Sequence, residues 1–196
     1  MNKLESFDLP HGKVVVYDQM PNDSNLITLD QTHSNIIHTF GVDDLSSQAD
    51  GIIFTNEEIK KYQFGIRTAD CLPLVLVGES HSAVIHAGWR GIHNRIVLNQ
   101  KILDISPEFV FIGPSIQQES FEVSKDFRDN FPTSKNFNTY ENKLTFNLQQ
   151  EIKDQLNEYG KSLTIIDCAQ CTFINHKYNS YRRDKTEKRN WNIYSI

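Results

Sequence analysis

Three short stretches of this chain set side chains able to bind a metal beside small or polar residues. They are Gln31-Thr32-His33, Ala69-Asp70-Cys71 and His86-Ala87-Gly88-Trp89-Arg90-Gly91. A catalytic zinc takes three protein ligands from His, Cys or carboxylate and keeps one position open for water or substrate. His33, Cys71 and His86 supply such a set, each at the end of a predicted strand. Asp70 and Gln31 flank them and are placed to orient the ligands or a bound water. The spacing is scattered, unlike a compact H-E-x-x-H, so each side chain also has a plainer reading. Taken singly, a His is a satisfied structural residue and a Cys a small buried hydrophobe.

Anion chemistry is the second candidate. Arg90 follows His86 by four residues and lies between Gly88 and Gly91, read as relieving the backbone at a tight turn. Near the C-terminus, Tyr181-Arg182-Arg183-Asp184-Lys185 and Arg189 make a basic tail. Guanidinium groups match phosphate bidentately; the plain alternative is a solvated terminus. Cys168-Ala169-Gln170-Cys171 has the form of half a zinc site or a redox pair, but no second C-x-x-C accompanies it. It is read as two partly buried thiols outside the metal site. The H-x-E and P-C-x-x-C signature of zinc deaminases is missing, because no His is followed by x-Glu and Asp167 precedes Cys168.

Strands must position these residues. Val14–Tyr17, Leu26–Leu29, Ile36–Phe40, Asp50–Thr55, Phe64–Ile66, Leu72–Val77, Ser82–His86, Phe109–Ile112 and Leu163–Ile166 read as strands. The first two suggest a hairpin or two strands of one sheet. Pro73 belongs at a strand start or bulge. Ile92, Ile96, Leu98, Ile102 and Leu103 predict one helix, and Ser124 caps a second over 125–131. Leu144, Leu148, Ile152, Leu156 and Tyr159 predict a third, closed by Gly160. Residues 178–196 read as a polar tail. Irregular interleaving of strands and helices predicts an α+β fold, with mixed sheets in an α/β sandwich and helices packed on them. Regular βαβ alternation is absent, so a Rossmann fold is not expected. One domain over residues 1–196 is expected.

Composition narrows the classes. A net charge of −5 over 196 residues gives no electrostatic case for nucleic acid. No window reaches membrane-span length, and Met1–Pro10 lacks the apolar core of a signal peptide. Three cysteines argue against a disulfide scaffold. A soluble cytoplasmic protein, a monomer or small homo-oligomer, with no nucleic-acid or membrane partner, is expected.

As a set, these residues resemble the YfiH-like laccase-domain family, whose members carry the names purine nucleoside phosphorylase and polyphenol oxidase. The resemblance runs through Gln31-x-His33, Ala49-Asp50-Gly51, Ala69-Asp70-Cys71, His86 to Gly91, Ile112 to Ile116, Phe121-Glu122-Val123, Cys171-Thr172 and Ser180 to Asp184. It implies an α/β sandwich, and zinc held by His33, Cys71 and His86. It implies phosphorolysis of adenosine, inosine, guanosine and methylthioadenosine, with adenosine deamination as a side activity. Substrate and phosphate would meet Gln31, Arg90, Arg182 and Arg183, with Asp70, Cys71 and Arg90 as catalytic candidates. Longer members carry an Arg- and Gly-rich N-terminal segment; here residues 7–25 hold no Arg, and His11 and Lys13 are the stand-ins. Three alternatives remain open. One is a copper oxidase of phenols, which a His2Cys set also suits. Another is a hydrolase editing peptidoglycan precursors with Cys71 as nucleophile. The third is a non-catalytic zinc module.

Overall fold

The computed structural model describes residues 1–9 and 11–196; Pro10, the last residue of the stretch read for a leader, lies outside them. The described strands are β1 (Lys3–Leu9), β2 (Gly12–Tyr17), β3 (Leu26–Ile27), β4 (Ile37–Thr39), β5 (Gly51–Thr55), β6 (Gln63–Thr68), β7 (Leu72–Val77) and β8 (His81–Ala87). Then come the helices α1 (Trp89–His93) and α2 (Gln100–Asp104) and the strands β9 (Phe109–Ile112), β10 (Phe137–Tyr140) and β11 (Lys143–Phe146). Helix α3 (Leu148–Asn157), β12 (Thr164–Asp167), α4 (Tyr181–Asp184) and β13 (Asn190–Ser195) complete the chain.

Two mixed sheets carry the fold. One has the order β12-β9-β7-β8-β5-β4 and the other β1-β2-β13-β6-β3, while β10 and β11 pair as a separate hairpin. Alternation along β7 explains its unbroken apolar run. Leu72, Leu74 and Leu76 face the helices, packing with Ile92, Ile102, Ile152 and Leu156. Val75 and Val77 face the other sheet, meeting Val14, Val16, Phe64, Ile66 and Tyr194. A strand buried on both faces has no polar side, which is why its sequence shows no alternation. The layers are therefore helices, six-stranded sheet and five-stranded sheet, the mixed α/β sandwich expected. No helix among the described residues is long and apolar enough to cross a membrane.

Several elements differ from the sequence expectation. Val14–Tyr17 and Leu26–Ile27 share a sheet but are not neighbours, because β13 and β6 lie between them. The single helix expected from Ile92 breaks at Arg95, which takes a left-handed conformation (φ 58°). A 3-10 turn over Ile96–Leu98 follows, then α2, capped by Asn99 accepting from the Lys101 N–H at 3.0 Å. Ile92, Ile96 and Ile102 are buried in the core and Leu98 packs against it, so the apolar spacing marks a core-facing segment although the helix is not continuous. Residues 125–130 form a 3-10 helix that Ser124 precedes without a side-chain cap bond. Leu144 belongs to β11 and not to a helix; Asn147, accepting from the Gln150 N–H at 2.9 Å, starts α3 instead.

The largest difference is the tail. Residues 190–195 form β13, a middle strand of its sheet, with Ile193 and Tyr194 each only 1% exposed. Its inward face carries asparagines, which hide its strand character. Partners meet their side-chain groups except Asn192 Oδ1, which has none among the described residues. Asn190 accepts from the Asn179 N–H at 2.8 Å and donates to the Asn179 carbonyl at 2.8 Å, and Asn192 donates to Thr68 Oγ1 at 3.1 Å.

Candidate metal centre

His33 lies in the loop after β3, Cys71 just before β7, and His86 near the end of β8. Their ligand atoms all lie within 4.8 Å of one another. His33 Nε2 is 3.7 Å from Cys71 Sγ, and the two imidazoles meet edge-on with centroids 4.7 Å apart. Bonds of about 2.0–2.1 Å to nitrogen and about 2.3 Å to sulfur in a tetrahedron separate the donors by roughly 3.5 Å. The donor set therefore fits one zinc-sized ion with little movement. Burial grades across the group, with His86 buried, Cys71 half-buried and His33 exposed, so the centre opens on one side.

Asp50, fully buried immediately before β5, organises two of the three ligands. Its carboxylate accepts from the backbone N–H groups of Thr32 (3.2 Å), His33 (3.0 Å) and Ser34 (2.5 Å), and from Ser34 Oγ (2.7 Å). Those bonds wrap the loop around the carboxylate and hold His33 in a left-handed conformation (φ 63°). The same carboxylate lies 2.7 Å from His86 Nδ1. An ionised acceptor there requires Nδ1 to carry the proton, which leaves Nε2 free for a metal. Burial would raise the Asp50 carboxyl, but the bonds from His86 and Ser34 outweigh it and bring it down to about 2. Burial also opposes charge on Cys71 and His86. Their mutual attraction overrides it, holding the thiol below its usual range and the imidazole above. The attraction favours the charged pair, and a cation at the site would take the proton's place.

Gly88, the residue before α1, fits by close approach and not by a special backbone. Its φ is −73°, and an added Cβ would lie 2.7 Å from His33 Cδ2 and 3.2 Å from Cys71 Sγ. Gly91 is similar: a Cβ there would meet the Ser34 carbonyl at 2.9 Å. Neither glycine relieves a strained turn, contrary to the sequence reading. Both let the His33 loop pack against the turn after β8.

Asp70 does take an unusual conformation, with φ 87°. Its carboxylate accepts from Thr172 Oγ1 at 2.7 Å and from the Arg182 backbone N–H at 2.6 Å. The turn carrying Cys71 is thereby tied to α4. Gln31 makes a second tie: its side chain accepts from the Arg67 N–H and donates to the Arg67 carbonyl, each at 2.8 Å.

The three donors open into a cavity of about 510 Å³, within the range of small-molecule sites. Gln31, Asp70 and Arg182 line it, as do Arg189, which the sequence placed in the basic tail, and Arg67, which the sequence did not single out. Phe121 and Tyr181 add aromatic surface, and Glu187 an acidic group. Arg182 donates to the Glu122 carbonyl at 2.7 Å and lies over Phe121, 5.1 Å from its centroid. Two arginines named from the sequence are placed elsewhere. Arg183 is absorbed in local bonds to the carbonyls of Thr172, Phe173 and Tyr178 at 2.8–2.9 Å. Arg90 is exposed, stacks over Trp89 at 4.4 Å and is not among the cavity-lining residues. His11 and Lys13 also face other hollows, so neither stands in for the missing N-terminal arginines. Cys168 and Cys171 lie outside the donor group, and burial pushes the Cys168 thiol up to about 12.

Residues 14–193 match the family described as multi-copper polyphenol oxidoreductase laccase, and the chain belongs to this family. A purine nucleoside phosphorylase of Aquifex aeolicus is 32% identical over 195 residues, covering 96% of this chain and 86% of the relative. Purine nucleoside phosphorylase Cj1217c of Campylobacter jejuni is 28% identical, covering 83% and 74%. A shorter match, to adenosine deaminase RL5 of an unknown prokaryotic organism, is 34% identical but covers 46% of this chain and 34% of that protein. Among solved structures, Neisseria meningitidis protein NMB0706 superposes with a TM-score of 0.72 at 25% identity, covering 87% of this chain and 74% of the other. Bacillus licheniformis protein YfiH shares the fold, with a TM-score of 0.73 at 21% identity and coverage of 88% and 74%.

Proposed function

We propose that the chain is a zinc-dependent purine nucleoside phosphorylase. It would cleave the N-glycosidic bond of adenosine, inosine, guanosine and methylthioadenosine with phosphate, and deaminate adenosine as a side activity. One observation carries this reading: two imidazoles and a cysteine sulfur within 4.8 Å of one another, opening into a cavity lined by three arginines. The names of the relatives support it.

In phosphorolysis a phosphate oxygen forms a bond to the anomeric carbon as the bond from that carbon to the purine breaks. The bonding pair leaves with the base, which takes up a proton. His33, Cys71 and His86 would hold zinc, which would supply Lewis acidity there. Asp50 fixes the His86 tautomer and the His33 loop. Asp70 acts by position, because both its oxygens already accept bonds from Thr172 and Arg182. Arg182 lends positive charge to the wall, and Gln31 locks the strand beside it. Phe121 and Tyr181 offer flat surface for a base.

Copper oxidation of phenols fits less well. A multi-copper enzyme needs several metal clusters, and the described residues bring together one group of three donors. Met1 and Met20, the chain's only methionines, are exposed and cannot serve as axial ligands there. The lowered Cys71 thiol favours a second reading, a cysteine hydrolase. A nucleoside panel with and without phosphate, read by mass spectrometry, separates these. Ribose 1-phosphate formed only with phosphate supports phosphorolysis; turnover that ignores phosphate and survives chelation supports the hydrolase.

A further inference from the structure

The three cavity arginines differ in how much of each guanidinium is already committed. Arg182 has given Nη1 to the Glu122 carbonyl and covers Phe121. Arg189 gives Nη1 to the carbonyls of Thr186 and Lys188, both at 2.9 Å, which pins the group while leaving Nε and Nη2. Its Nη2 is 3.6 Å from Glu187, beyond hydrogen-bond distance. Arg67 makes no side-chain hydrogen bond to any described residue, and its Nη2 is 3.7 Å from Asp30. Both acidic neighbours are turned to water, with side chains 57% exposed at Asp30 and 93% at Glu187. Such loose, solvated pairs contribute little and yield readily to a stronger anion.

Sheet register brings the two free cations together. Arg67 on β6 pairs with Trp191 on β13. Arg189 lies two residues before Trp191, one residue outside β13, and both arginines line the same cavity. Two long side chains approaching one cavity from adjacent segments can share one oxyanion. Position relative to the metal ligands is also fixed. Gln31 binds both backbone groups of Arg67 at 2.8 Å and precedes His33 by two residues. Arg67 itself precedes Cys71 by four residues on the same strand and turn.

We propose that Arg67 and Arg189 form a phosphate subsite that takes free inorganic phosphate beside the His33, Cys71 and His86 cluster. Its role rests on the phosphorolysis reading; its existence does not. The pair does the work for which the resemblance implied Gln31, Arg90, Arg182 and Arg183, with Arg189 supplied by the basic tail. Charge-assisted bonds from two guanidiniums suit a dianionic tetrahedral ligand, and the partly closed cavity limits competition from water.

The test is calorimetric titration of inorganic phosphate into the zinc-loaded full chain, comparing the parent protein with Arg67→Gln, Arg189→Gln and, as a control, the exposed Arg128→Gln. Phosphate affinity should fall at least about tenfold in the first two and stay unchanged in the control, with equal zinc per chain throughout. In turnover the KM for phosphate should rise by a similar factor while kcat at saturating phosphate changes little. Parent-like phosphate affinity in both variants overturns the proposal. So does binding of adenosine 5′-monophosphate through these arginines with none of free phosphate. Phosphate bound through the pair, with no nucleoside cleaved, upholds the subsite and removes the phosphorolysis reading. Phosphorolysis with an unchanged KM for phosphate in both variants does the reverse.

Discussion

Asp50 accepts bonds from three successive backbone N–H groups and from His86, so one buried carboxylate sets both the His33 loop and the His86 tautomer. Removing a hydrogen-bonding partner behind a metal ligand typically costs roughly 10- to 100-fold in metal affinity. Asp50→Asn should therefore bind zinc that much more weakly, as measured by competition with a chromophoric chelator; parent-like affinity would show that the carboxylate does not orient the ligands. The same residue predicts an acid response in metal-free protein. Its folded pKa, about 2, lies below the ordinary 3.8, so its contribution is present above pH 3.8 and is lost as pH falls through 2. On the order of 2 kcal/mol is at stake. Denaturant titrations with chelator present should show stability declining over that window, and a shallower decline in Asp50→Asn; parallel declines would argue against it. From the sequence, Asp50 opened the stretch Asp50–Thr55 and stood in the Ala49-Asp50-Gly51 block of the resemblance, with no role of its own. What makes it central is three backbone donors arriving from a loop sixteen to eighteen residues earlier, and no residue type announces that.

Among the elements, the strand ends and tight turns that present the donors were the most legible. His33, Cys71 and His86 stood out because each lies at a predicted strand end beside small or polar residues, and the structure brings these three side chains together. Glycine roles were less legible, since a close approach and a left-handed turn look alike in one sequence. Gly88 and Gly160 separate the two cases experimentally. Gly88→Ala drives a Cβ against His33 and Cys71 and should weaken zinc binding about tenfold or more while leaving the chelated protein folded. Gly160 has φ 68° and nothing within 4 Å of an added Cβ. Gly160→Ala should cost about 1 kcal/mol of stability from backbone strain and leave zinc affinity alone. Paired zinc titrations and melts check both, and equal zinc affinity in the two variants would contradict the packing argument.

Across the whole molecule, the candidate centre is closed by the last quarter of the chain. Thr172 and Arg182 bond to Asp70, and β13 holds β2 and β6 together. This was the part least legible in the sequence, because buried asparagines and a charged run disguise a central strand as a solvated tail. Tyr194, 1% exposed in the layer between the sheets, tests its structural weight. Tyr194→Ala should cost about 3–5 kcal/mol, the usual range for deleting a buried aromatic, and a loss under about 1 kcal/mol would mean that β13 is peripheral. Phosphorolysis by this chain should need one metal at His33, Cys71 and His86. The direct measurement is the rate of ribose 1-phosphate formation from inosine and phosphate as zinc is titrated into chelated protein. Activity should be abolished by chelation and rise linearly to a plateau at one zinc per chain, with Cys71→Ser failing to recover. Full activity in the metal-free protein, or a plateau reached equally well by Cys71→Ser, would contradict it.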